Sequence, residues 1–382
     1  MRTNEVFITK MGKFLPNEVV LNEGMEKRLG MIGGKPSRVR PIILRQNQIE
    51  KRYYSINEQG DIVYSNAEMM ALAIKSMFDE QFSAKDIELL ICGTSSPDQI
   101  LPSHTSMVHG LLEGARPIPI LSPSGVCCAG AHALQYAYLS VLSGYTQNAV
   151  CGASELASPV LAANKFEKEY SDLQEVEKNP YIAFEKDFLR WMLSDGAGAA
   201  FLSNRPNGEI SLKIEWIESV SFANELKACM YQGAEKNENG DLIGWKSYSQ
   251  QEWLNKSIFS VKQDVRQLGE YVIQKAVEHI GNSCKKHALS LENDVQYFLP
   301  HISSMFFYER LMEGMEKAGI PCQREKWFTN LTQVGNIGSA SIYLILEELF
   351  NSGKLKTGEK IYLFVPESGR FSYTTALLTV YK

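Results

Sequence analysis

Two distant stretches of this 382-residue chain close in the same way. Ser194-Asp195-Gly196-Ala197-Gly198-Ala199-Ala200-Phe201-Leu202 is a turn of small residues entering a short apolar strand, and Ser368-Gly369-Arg370-Phe371-Ser372-Tyr373-Thr374-Thr375-Ala376-Leu377-Leu378 repeats that plan at the C-terminus. Each follows a strand-like run, 147–152 in one case and 360–365 in the other. Each of those runs follows a helix-spaced apolar pattern, at 133–143 and 341–350. Strand, helix, strand, small-residue turn and strand thus occur once per half. The pattern predicts an α/β fold built by internal duplication, with halves at 1–205 and 206–382. Two segments fall outside it. Residues 155–192 are charged and aromatic, with helical spacing around Phe166, Tyr170 and Leu173 and again around Phe184, Phe188, Leu189 and Trp191. Residues 222–258 carry the turn signals Asn239-Gly240 and Gly244-Trp245 between two polar stretches read as helical. Both are read as insertions on the core.

Composition excludes several classes. A chain with 44% hydrophobic residues buries a large core. The net charge of −5 and the lack of any basic run interleaved with aromatics argue against a nucleic-acid surface. No stretch reaches the eighteen or so uncharged apolar residues of a membrane span, and the N-terminus has no continuous apolar signal region. A soluble, cytosolic protein is expected. Seven scattered cysteines without a C-x-x-C pair predict reduced thiols rather than disulfides or a zinc site.

The run Ser124-Gly125-Val126-Cys127-Cys128-Ala129-Gly130-Ala131 puts a thiol between a buried strand and a long helix. Cys128 is placed at or just before the helix N-terminus, where unpaired N–H groups and the helix dipole favour a thiolate. Ala129 and Gly130 leave room for a thioester. Cys127 is assigned to packing, on the other side of the chain. A cysteine nucleophile needs a partner that holds or takes charge and a second polar group. His301 follows the strand-like run 295–299, at a strand end where α/β active sites gather. Asn336 lies in a Gly-rich turn, Gln333 to Ala340, entering a helix. Cys, His and Asn occur in that chain order.

With these residues in view, the chain resembles the β-ketoacyl-acyl-carrier-protein synthase III family of thiolase-fold condensing enzymes. Cys128-Ala129-Gly130 is similar to its nucleophile motif, Pro300-His301 to its histidine, Gly335-Asn336 to its asparagine, and Ser194 to Ala199 to its buried D-G-A-G-A turn. The segment 353–378 follows its closing pattern. The resemblance implies a five-layer αβαβα core of two related halves, a homodimer, no cofactor, and thioesters of acyl carrier protein or coenzyme A as substrates. It also implies a ketosynthase mechanism. Cys128 takes an acyl group, with its own N–H and the Arg370 region as oxyanion donors, and His301 and Asn336 stabilise the enolate of a second thioester for a Claisen condensation.

The chain departs from the family in three places. The closing run is Ser368-Gly369-Arg370-Phe371 where the family has Gly-Gly-Gly-Phe, which brings Arg370 and Phe371 to the substrate. No tryptophan stands in 42–46 to sandwich adenine, which favours a carrier-protein donor. Leu101 replaces a pocket-shortening aromatic, implying a longer acyl group. With the insertions, these features resemble the secondary-metabolism branch, and Gly34-Lys35-Pro36-Ser37 and Gly244-Trp245-Lys246 resemble the branch that joins two fatty-acyl units into cyclohexanediones for dialkylresorcinols. The competing readings are a non-condensing acyltransferase or thioesterase on the same fold, against which Asn336 argues, and a silent partner subunit, against which Cys128 argues.

Overall fold

The duplicated pattern becomes one continuous nine-stranded sheet. A computed structural model describes residues 4–165 and 189–382. The strands of this sheet are β1 (Phe7–Phe14), β2 (Leu90–Gly93), β3 (Ile120–Leu121), β4 (Asn148–Glu155), β5 (Gly196–Ser203), β6 (Ser211–Ser221), β7 (Tyr297–Pro300), β8 (Lys360–Glu367) and β9 (Ser372–Tyr381). Their order is β7-β8-β9-β6-β1-β5-β4-β2-β3. From the centre outward, β1-β5-β4-β2 pairs antiparallel, antiparallel, parallel. The second half repeats this as β6-β9-β8-β7. The two meet where β1 pairs with β6, Phe7 opposite Lys213 and Ile8 opposite Leu212. A turn at 204–210 connects them.

Six helices cover and fill this sheet: α1 (Asn66–Lys75), α2 (His104–Gly110), α3 (Cys128–Ser143), α4 (Val265–Lys286), α5 (Met305–Lys317) and α6 (Ser341–Phe350). Helices α3 and α6 touch strands from both halves and form the middle layer, while α1 and α4 back the two halves from outside. The sequence of each helix matches its place. In α6 every residue from Ser341 to Glu347 is buried, as expected of a helix apolar all round. In α4 the buried positions Leu268, Val272, Ala276 and Ile280 form one stripe, and Asp264 caps its start by accepting from the Gln267 N–H.

The middle layer is tight because small residues remove side chains from its contacts. A Cβ on Gly130 of α3 would lie 2.2 Å from the Ser339 carbonyl oxygen, and one on Gly198 of β5 would lie 2.5 Å from Tyr343 Cβ. The Tyr343 hydroxyl donates to the Gly130 carbonyl at 2.9 Å.

Residues 222–258 differ from the helical expectation. They hold short strands at Met230–Tyr231, Ala234–Lys236 and Leu242–Gly244, a single 3-10 turn at Trp245–Ser247 and a short α-helix at Gln250–Asn255. The reason is local turn chemistry. The Asn237 side chain accepts from the Asn239 and Asp241 N–H groups, Gly240 sits at φ 77°, and the chain folds back as a hairpin. Of the other insertion, Phe166, Tyr170, Leu173, Phe184 and Phe188 lie outside the described residues. Leu189 and Trp191 are buried in the core. Among the described residues no helix is long and apolar enough to cross a membrane. The seven cysteines are all free, and no described cluster of His, Cys, Asp or Glu is arranged for a metal.

Two stability predictions follow from the packing. Gly130→Ala should destabilise by about 1–3 kcal/mol or more, because the new methyl meets backbone. Gly269→Ala, on the open face of α4 with nothing within 4 Å, should stabilise by about 0.5–1 kcal/mol; urea titration of both compares them directly. Burial holds His104, His279 and His301 each down to about 4, from an ordinary 6.5, and pushes Asp195 up to about 6, from 3.8. Between pH 6.5 and 4 the unfolded chain therefore binds three extra protons at the histidines, while the folded chain holds one extra at Asp195. The histidines outweigh the aspartate, so stability should fall as pH drops through that window. A melting temperature that stays flat from pH 6.5 to 4 would contradict this.

Candidate active site

The first turn of α3 sends its two adjacent thiols in different directions. Cys127 is the N-cap, and it lines an apolar cavity together with His301 and Asn336. Cys128 is the first helical residue and has no exposed surface. Its Sγ donates to the carbonyl oxygens of Val365 and Ser372, at 3.4 and 3.6 Å, and accepts from the Thr374 hydroxyl at 3.8 Å. The expectation that Cys128 faces the pocket is therefore corrected to Cys127. Successive helical residues are turned by about 100°. Cys128 is buried with the rest of the first turn, whereas Cys127 is the N-cap that precedes it.

Two buried carboxylates flank this start of the helix, and neither was singled out from sequence. Glu367 Oε2 accepts from the Val126 and Cys128 N–H groups, both at 3.0 Å. The Cys128 N–H expected to serve as an oxyanion donor is thus already engaged. Glu155, at the end of β4, accepts from the Ser95 and Ser339 N–H groups, each at 3.1 Å, and from the hydroxyls of Ser95, Ser96 and Ser339. Burial pushes the Cys127 thiol up, and the Glu367 and Glu155 charges add to it. The resting group is a thiol, not the dipole-stabilised thiolate that position alone suggests.

His301 follows the last residue of β7 and is pinned by its N–H, which donates to the Phe364 carbonyl at 2.8 Å. Its Nδ1 is buried without a hydrogen-bond partner among the described residues, and burial holds the ring down to about 4, so it is neutral at physiological pH. Asn336 is held by backbone on both sides. Its N–H donates to Met192 O at 3.1 Å and its carbonyl accepts from Ser194 N at 2.9 Å. Its Oδ1 accepts from Gly338 N at 3.0 Å, which orients the amide. Gly335 before it is at φ 77°, where a Cβ would meet Ser194 Cβ at 2.8 Å, so glycine is needed there. The Ser194-Asp195 turn thus supports the asparagine. Asp195 is buried and accepts from Ser55, Ala157 and Ser158 N–H groups at 2.7 to 2.9 Å.

The remaining expected substrate residues are placed elsewhere. Leu101 is 82% exposed on the loop before α2 and does not line the cavity of its own chain. It sits in an irregular turn whose preceding residue, Ile100, is also out in solvent. Arg370 is exposed, and its Nε donates to Leu226 O at 3.0 Å. It lines an outer opening with Lys227, Met230, Glu367 and Gly369 rather than the thiol cavity. Phe371 is wholly buried in the core, its ring edge-on to Tyr271, because the backbone turns at φ 57° and swings it inward. From the closing run only Ser368 reaches the cavity that holds Cys127. Met192, Leu268, Val272, Phe307 and Leu311 form much of its apolar wall. A thiol, a neutral imidazole and an oriented amide at an apolar cavity suit covalent capture of an acyl group and polarisation of a carbonyl.

Known proteins share this arrangement of chain. The family model of the 3-oxoacyl-acyl-carrier-protein (ACP) synthase III C terminal matches residues 284–379, which include His301 and Asn336. The β-ketoacyl-acyl-carrier-protein synthase III of Clostridium perfringens is 24% identical over 370 residues, 96% of this chain and 97% of that protein. That of Rickettsia prowazekii is 25% identical over 369 residues, with the same coverage. Among solved structures, the tetronic acid condensing enzyme AbyA1 superposes with a TM-score of 0.74 at 17% identity, covering 98% of this chain and 99% of that one. OleA of Xanthomonas campestris, the C143S form with bound lauric acid and lauroyl-CoA, gives 0.73 at 18% identity, covering 99% and 100%. The fold is thiolase-like, and along nearly its whole length the chain is similar to β-ketoacyl-acyl-carrier-protein synthase III proteins, with the C-terminal region of that family matched at 284–379.

Proposed function

We propose that this chain joins two acyl units by a Claisen-type condensation, with Cys127 as the nucleophile. The observation that carries the reading is that Cys127, His301 and Asn336, from three separate segments, line one apolar cavity. The Cys127 sulfur attacks the carbonyl of a thioester donor, and the thiol proton passes to the neutral His301 or to the departing thiolate. The acyl chain lies along the apolar wall. A second thioester then binds with its carbonyl oxygen toward His301 and the Asn336 amide; its α-carbon loses a proton or CO₂, and the N–H groups of His301 and Asn336 hold the oxygen of the enolate that results. The enolate carbon attacks the acyl-cysteine and expels the Cys127 thiolate.

The donors are fatty-acyl thioesters on acyl carrier protein. The names of the Clostridium and Rickettsia relatives support the carrier, and the lauric acid and lauroyl-CoA bound to OleA support the chemical class. The secondary-metabolism branch is the finer part of the proposal. It rests on the Ser368-Gly369-Arg370-Phe371 run and on the lack of a tryptophan in 42–46.

Intact mass after incubation with an acyl thioester tests the nucleophile. Cys127→Ala should acquire no adduct, whereas Cys128→Ala should still be acylated; the reverse result would return the role to Cys128. His301→Ala and Asn336→Ala should form the acyl-enzyme yet lose condensation by at least about 10²-fold, the scale of one oxyanion donor. Normal condensation by Asn336→Ala would favour a non-condensing acyltransferase.

A further inference from the structure

Glu367 stands where two cavities meet. It is the last residue of β8, and its side chain is buried against the first turn of α3. The next residue, Ser368, lines the inner cavity with Cys127, His301 and Asn336, while Glu367 itself lines the outer opening with Gly369, Arg370 and Lys227. Met230 lines both. A thioester threading from the outer opening to the thiol passes the carboxylate.

The hydrogen bonds of Glu367 place it close to the reacting centre. Oε2 holds the N–H groups of Val126 and Cys128, the two residues that flank Cys127. The backbone is built around it. A Cβ on Gly369 would lie 3.2 Å from Oε1, and one on Gly125 would lie 3.4 Å from Oε2, so glycines on both sides make room. Both donors fall on Oε2, and Oε1 receives no hydrogen bond from any described residue. Only one oxygen is needed to hold the helix start; the other is free to work.

A fixed negative charge at this point also discriminates between second substrates. A carboxylated extender, of the malonyl type, must bring its own carboxylate beside Glu367, and like charges in a low-dielectric site repel strongly. An uncarboxylated acyl or β-ketoacyl thioester brings no charge. It lacks the departing CO₂ that would generate an enolate, so it requires a base at its α-carbon, and Glu367 supplies one.

We propose that Glu367 is the base that removes the α-proton of the second substrate, and that this substrate is an uncarboxylated acyl or β-ketoacyl thioester. The proposal rests on the condensing reading given above. The α C–H bond breaks and its proton goes to Glu367. The electron pair becomes the enolate, whose oxygen is held by His301 and Asn336. The α-carbon then attacks the acyl carbonyl on Cys127, the C–S bond breaks, and the Cys127 thiolate recovers the proton from Glu367. Carbon, proton and charge all balance without an oxidant or a metal.

The test separates proton removal from acyl capture. In the Cys127→Ala background, where no acyl-enzyme forms, decanoyl-acyl-carrier-protein is incubated in D₂O and deuterium at its α-carbon is followed by mass spectrometry. Adding Glu367→Gln should slow that exchange by at least about 10²-fold, the usual contribution of a general base. With Cys127 intact, Glu367→Gln should still take up the decanoyl adduct, and it should accept malonyl thioesters no worse than the parent does. Undiminished exchange overturns the assignment, as does a parent enzyme that decarboxylates malonyl-acyl-carrier-protein in preference to condensing two decanoyl units. Loss of the adduct together with exchange also overturns it, in favour of a purely structural cap on α3. If the parent itself forms no adduct, the condensing reading fails first.

Discussion

The pocket depends on one backbone-to-backbone contact, that of Gly130 in α3 against the carbonyl of Ser339 just before α6. Helix packing normally leaves 8–10 Å between axes because side chains intervene. A glycine at the crossing lets the chain approach until its neighbours are carbonyl oxygens. The thiol at the start of α3 comes from the N-terminal half, whereas Asn336 and His301 come from the C-terminal half. Their shared cavity exists because the two halves press together here. Glu155 reinforces the contact, since its carboxylate holds Ser339 on one side and Ser95 and Ser96 on the other. Gly338, whose Cβ would lie 3.0 Å from Glu155 Cγ, leaves room for it.

The charge arrangement is less simple than a helix dipole acting on a cysteine. The N-terminus of α3 is already answered by Glu367, which takes two of the N–H groups that would otherwise stabilise an anion. With Glu155 behind it, the thiol faces two buried carboxylates and no described cation, and its affinity for the proton rises. Such a thiol is quiet at rest. To act as a nucleophile it would need its proton drawn off, and the neutral His301 in the same cavity is the group that could take it.

The architecture was legible in sequence because it is written twice. Helix spacing at 341–350 coincides with α6, and the small-residue runs at 194–199 and 368–372 lead into β5 and β9. His301 and Asn336 were legible because each sits at a chain feature with a physical mark, a strand end or a glycine turn. Residue spacing does not separate Cys127 from Cys128, since 127 stands in helical register with 131 and 134 as 128 does with 131; only the fold brings Cys127 to the cavity. Leu101, Arg370 and Phe371 lie away from the thiol cavity of this chain for another reason. Where an irregular turn sends a side chain depends on φ and on tertiary neighbours, as at Phe371, and neither is visible in residue type. Glu367 was overlooked because a carboxylate at a strand end ordinarily faces water. Only the fold shows that this one meets a helix.

The turn at 204–210 divides the reaction between two chain segments, with the sulfur before it and the imidazole and amide after it. Neither segment holds a complete reaction centre, so any inherited or engineered break at this turn would turn catalysis into a bimolecular event. Activity would then depend on fragment concentration and on the fit of Gly130 to Ser339, and a chain opened there would work as a logical AND gate, silent until both fragments are present.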